Sequence, residues 1–168
     1  GGMTGIGLAL KSPARLGRLV ACDCRLDAPA FFREMWAARI ARVEHGGMPA
    51  IVDAVIETWL YLRVEQAESL ARRLILDTPG ATYIACARAL QSLDYKPRLA
   101  ELSGPVLYLV GEHDGVHPEE MAQLQRLTPA ARFSVLENAA HLSNLEQSAA
   151  FNRTVIDFLT AASVETKA

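Results

Sequence analysis

The 168-residue chain is 51% hydrophobic and 21% charged, with a formal net charge of -2. That composition describes one folded domain with a sizeable core and excludes a disordered chain. The small negative charge offers no purchase to nucleic acid or an anionic membrane, and no apolar run is long enough to span a bilayer.

The chain opens GGMTGIGLALKSP, with no methionine and no strand ahead of it. Small residues on helical spacing predict a helix over residues 2–10 that packs closely on a neighbour, ended by Pro13. The run RLVAC at 18–22 predicts a short strand. Cys22 and Cys24 would share one side of it, but with no second pair a zinc site is not expected. Together with Cys86 they are an odd number, expected as reduced thiols, which makes the cytoplasm the expected compartment.

The middle of the chain reads as helical. Asp27 is placed to cap a helix with Pro29 in its first turn. Phe32, Met35, Trp36, Arg39, Ile40 and Val43 follow on one face, and Gly46-Gly47 ends the run. Met48, Ile51, Val52, Val55, Ile56 and Trp59 form a second stripe, and Leu70, Leu74 and Ile75 a third. Thr78 with Pro79 should cap a fourth helix running to about Leu93. Four helices exceed what a βαβ crossover needs, so residues 27–78 are expected to be an inserted helical cap, with 79–160 returning to the core. Trp36 and Trp59 would be core of that cap or wall of a pocket beneath it.

The last third alternates. VLYLV at 106–110 is a buried parallel strand by composition, followed by an Asp-Gly turn at Asp114 and a helix from Pro118. RFSVL at 132–136 is another strand, leading to a loop that holds His141. Ser143 to Glu146 has the S-x-x-E form of a capping box, so a helix should start there, with Phe151, Val155, Phe158 and Leu159 giving it an apolar face. A frayed tail is expected over 161–168. The fold class is therefore α/β, with about three parallel strands, flanking helices and an inserted helical cap. His113, Asp114 and His117 could suggest a metal, but Gly115 and Pro118 make the stretch a loop rather than one helix face, so none is expected.

Strand, loop with Asp114, helix, strand, loop with His141: this order resembles the α/β-hydrolases. GGMTG, RLVACD, PVLYLVGEHDGVHP and AHLSNLEQ bring the chain nearest to 3-oxoadipate enol-lactonases and their relatives. The resemblance implies Asp114 as the acid, His141 as the general base, and 27–78 as a lid over the pocket; Trp36, Trp59 and Leu142 are candidates for that pocket or lid. Gly1 and Gly2 resemble the closing glycine of a G-x-S-x-G elbow and the second glycine that often follows it, which puts the serine two positions before Gly1 and the oxyanion donors outside the chain. Thr4, Ser103 and Ser134 fit no such elbow. The implied activity is hydrolysis of a small ester or lactone without cofactor. An anionic substrate would call on Arg33, Arg39 or Arg88. The alternative is a catalytically incompetent fragment or association module that needs a second chain, or its own missing N-terminal part, to complete the sheet.

Overall fold

The computed structural model describes residues 1–161. Three strands, β1 (Leu19–Cys22), β2 (Val106–Gly111) and β3 (Arg132–Leu136), form a parallel sheet in that order. The helices are α1 (Gly2–Lys11), α2 (Ala30–Gly46), α3 (Val52–Trp59), α4 (Glu65–Leu76), α5 (Gly80–Leu90), α6 (His117–Leu127), α7 (Ser143–Glu146) and α8 (Ser148–Thr160). Short 3₁₀ turns at Pro13–Arg15, Met48–Ala50 and Lys96–Glu101 connect them.

β2 is buried along its whole length, and its side chains divide between two layers because successive residues of a strand face opposite ways. Val106, Tyr108 and Val110 join Ile6 of α1 and Met121 and Leu124 of α6 on one face. Leu107 and Leu109 meet Leu136 and Phe158 of α8 on the other. A continuous apolar run is what a strand covered on both sides requires. Between β1 and β2, helices α2–α5 build a separate cluster from Val43, Ile51, Val55, Ile56, Leu60 and Ile75. α5 lends Tyr83 and Ile84 to this cluster and packs on α2. No helix among the described residues is long and apolar enough to cross a membrane.

Several local expectations fail for identifiable reasons. Arg18 is outside β1, its guanidinium donating to the Phe158 carbonyl (2.7 Å) and to that of Ala161. Asp27 caps nothing: its carboxylate pairs with Arg25 at 2.7 Å, its backbone forms an isolated antiparallel bridge with that of Asp94, and α2 starts from Pro29 instead. Thr78 turns back, its hydroxyl donating to the Leu74 carbonyl at the end of α4, and Pro79 precedes α5, which ends at Leu90 rather than Leu93. Leu74 is 56% exposed, so the inward face of α4 is Ala67, Ala71 and Ile75. The helix expected from Ser143 is broken at Gln147 into α7 and α8. Of the expected tail, all but Ala161 lies outside the described residues.

Candidate active site

Asp114 and His141 follow neighbouring parallel strands, so both loops leave the sheet at its carboxyl edge, where open α/β sheets place their ligands. The loops are tied to each other. Glu112 N–H donates to the Leu136 carbonyl (2.9 Å) and His113 N–H to that of Ala139 (2.8 Å). Gly111 makes this possible: a Cβ there would stand 2.2 Å from the Ala140 carbonyl oxygen and 2.6 Å from that of Ala139. Gly115, at φ 55°, then turns the chain past Asp114.

The Asp114 side chain is buried and accepts a 2.9 Å hydrogen bond from His141 Nδ1. A second imidazole shares that oxygen, with His117 Nδ1 at 3.3 Å from it and 3.0 Å from the Asp114 carbonyl. Burial pushes the Asp114 carboxyl up, but the hydrogen bonds and charges of His117 and His141 outweigh it and hold the group at about 2. His117 moves up: its burial works the other way, and Asp114 overcomes it. An ionised carboxylate only accepts, so both Nδ1 atoms carry protons and the Nε2 of a neutral His141 is a free lone pair. Asp114, His117 and His141 also present ligand atoms within 4.8 Å of one another.

Three residues that sequence reasoning left out, or assigned elsewhere, complete the surroundings. Asp23, directly after β1, is buried at φ 46°, accepting from Gly111 N–H (2.9 Å) and from the Ser143 hydroxyl (3.1 Å). Burial raises its carboxyl to about 6, with the Gly111 bond opposing and the Asp114 charge adding. Glu146 does not close a capping box. Its carboxylate reaches the backbone N–H groups of Tyr61, Leu62 and Ala140, while the Ser143 hydroxyl is spent on Asp23. Arg25 is buried, paired with Asp27 and 3.6 Å from Glu120, and close enough to His117 to oppose its protonation. The arginines singled out from sequence lie elsewhere: Arg33 donates to the Ala28 carbonyl on the surface, Arg88 pairs with Glu44, and Arg39 lies over Trp36.

Trp59 stacks on His141, ring centroids 5.7 Å apart and planes 24° from parallel. It also borders an apolar cavity of about 240 Å³ with Met48, Ile51, Val55, Ile75 and Tyr83. Trp36 packs edge-on against Phe32 and beside Tyr83, with no contact to His141. Its indole N–H and the Tyr83 hydroxyl are buried without a hydrogen-bond partner, although Arg39 is near enough to oppose the upward push of burial on the Tyr83 phenol. Leu142 N–H donates to the Trp59 carbonyl (3.1 Å), and its side chain packs on the helical cluster. Gly1 is exposed, its carbonyl accepting from Gly5 N–H at 2.9 Å. Gly2 lies where a Cβ would stand 2.8 Å from Cys24 Sγ, so α1 crowds the end of β1. Among the described residues no hydroxyl or thiol hydrogen-bonds to His141.

The chain belongs to the alpha/beta hydrolase family, whose model matches residues 1–154. It is 30% identical over 161 residues to 3-oxoadipate enol-lactonase 2 of Acinetobacter baylyi, covering 92% of this chain and 59% of that one. The enol-lactonase of Burkholderia xenovorans superposes with a TM-score of 0.86 at 30% identity, over 95% of this chain and 62% of that one. A thermophilic esterase of Thermogutta terrifontis does so with the same score at 27% identity, over 94% and 61%. The chain thus spans about three fifths of the length of the curated relatives it matches, at 59% and 58% for the first two.

Proposed function

We propose that the chain supplies the acid and the base of a serine-type hydrolase acting on a small ester or lactone, of the 3-oxoadipate enol-lactonase kind. The observation that carries this is the 2.9 Å bond between His141 and a buried Asp114 on loops after adjacent parallel strands. Asp114 fixes the Nδ1–H tautomer, leaving Nε2 to take the nucleophile's proton. In this mechanism a serine of the G-x-S-x-G pattern, two positions ahead of Gly1, attacks the carbonyl carbon. The proton passes to His141 Nε2, and Asp114 stabilises the imidazolium. The imidazolium then protonates the departing alkoxide or enolate, and the neutral ring activates water against the acyl-enzyme. No cofactor enters the scheme. The apolar cavity beside Trp59 suits a small acyl chain or ring, and the three free thiols suit a reducing compartment such as the cytoplasm.

A second reading is an incompetent association module, favoured by the position of β1 at one edge of the sheet. One experiment separates the two. The portion of the Burkholderia xenovorans enol-lactonase that precedes the match is joined ahead of Gly1, and hydrolysis of a nitrophenyl ester and an enol-lactone is followed. The hydrolase reading expects turnover that His141→Gln lowers on the order of a thousandfold or more. A folded chimera without turnover gives the case to the second reading, and turnover indifferent to His141 overturns its assignment as the base.

A further inference from the structure

The carboxylate of Glu146 takes three backbone N–H groups from two distant segments. One oxygen accepts from Tyr61 and Leu62, at 2.7 Å each, and the other from Ala140, also at 2.7 Å. Tyr61 and Leu62 lie in the link between α3 and α4, and Ala140 immediately precedes His141. Further contacts run alongside. Leu142 N–H donates to the Trp59 carbonyl, Trp59 stacks on the His141 ring, and Tyr61 stacks on His113 with centroids 3.7 Å apart. Bonds to an ionised acceptor are about twice as strong as neutral ones, and here one side chain makes three.

We infer that Glu146 is a positioning residue for His141: it fastens the helical insert to the histidine loop, so that Trp59 walls one face of the imidazole and holds the ring toward Asp114. This rests on the reading of His141 as the base. The insert then cannot lift away at residues 59–62 without releasing Ala140 and freeing the ring. The arrangement also explains why glutamate stands here. Glutamine could offer its oxygen to one segment only, presenting an N–H₂ donor to the N–H of the other.

The test uses the 168-residue chain and two readouts that need no turnover. Amide exchange is followed at Tyr61, Leu62 and Ala140. Trp59 fluorescence is followed through protonation of the neighbouring imidazole. His141 also faces Asp114, His117 and the field of Asp23, with Arg25 beyond His117, so only the part of the pH response abolished by His141→Gln is scored. In the wild-type chain the three amides should exchange as one group. In Glu146→Gln all three should accelerate together, roughly tenfold or more, the factor that loss of one bond to a charged group implies. More than half of the scored fluorescence response should vanish, and Glu146→Asp, one methylene short, should behave alike. Acceleration at Tyr61 and Leu62 with Ala140 and the fluorescence unmoved would overturn the inference. Should the variants not fold, wild-type exchange decides alone: a shared opening rate supports the clamp, and independent rates refute it. Failure here leaves the hydrolase proposal standing, and an inactive chimera leaves the clamp standing.

Discussion

Asp23 is a buried acid whose surroundings work against its own charge, and Asp23→Asn should therefore stabilise the chain at neutral pH. Its carboxyl is raised from 3.8 to about 6, chiefly by burial. At about 1.36 kcal/mol for each pH unit, that is a cost of up to about 3 kcal/mol when the group is ionised. The sign follows from proton binding. Between 3.8 and about 6 the folded state holds a proton that the unfolded state has released, so stability falls as pH rises through that window and is level above it. Asparagine removes the charge and keeps the geometry. Its oxygen accepts from Gly111 N–H, and its amide donates to the Ser143 oxygen in place of the present bond. Asparagine also tolerates the left-handed backbone found here, φ 46°, at least as well as aspartate. Urea unfolding across the pH range measures the gap between the two proteins. The gap should approach about 3 kcal/mol in favour of Asp23→Asn near pH 8 and shrink toward zero near pH 4. A variant less stable than wild type at pH 8, or a gap independent of pH, would refute the reasoning.

Asp114→Asn should show the opposite pattern in the same titration. The carboxyl is held at about 2 against 3.8. Its ionised form therefore contributes on the order of 2 kcal/mol, present in full above 3.8 and lost as pH falls to about 2, and the rise in His117 is the same interaction counted from the other partner. The variant should be destabilised by about that amount at pH 7 and converge on wild type at the acid end; equal stability at pH 7 would sink the claim. Gly111→Ala puts a methyl against two carbonyl oxygens that cannot step aside without parting the acid and histidine loops. A loss on the order of 3 kcal/mol is expected, with faster exchange at Glu112 and His113, and an unchanged melting temperature would count against the close approach.

The parallel strands and the Asp114–His141 pair were legible because their signals are local. An apolar run ending at a turn residue says strand then loop, and two such units in succession imply adjacent strands with both loops at one edge. What sequence missed is held by long-range bonds. Asp23 stands in CDCR with no local pattern to mark it, and its role depends on Gly111 and Ser143, far along the chain. The errors share a physical cause. Asp27, Thr78, Ser143 and Glu146 were all assigned to helix caps, since short polar side chains beside a helix start satisfy its orphan N–H groups. Yet a cap bond is worth only about 1 kcal/mol, and other partners took these side chains, charged ones for Asp27 and Ser143 and the Leu74 carbonyl for Thr78. Arg25 and Lys96 claim Asp27, and three unpaired amides claim Glu146. Caps and clamps draw on the same few residue types. A capping signature one turn past a candidate catalytic loop is therefore ambiguous by chemistry, and the choice turns on which orphan donors the fold brings nearest. In Glu146 the donors taken belong to the link between α3 and α4 and to the residue before His141, so a pattern that does mark a helix start also ties that link to the histidine loop.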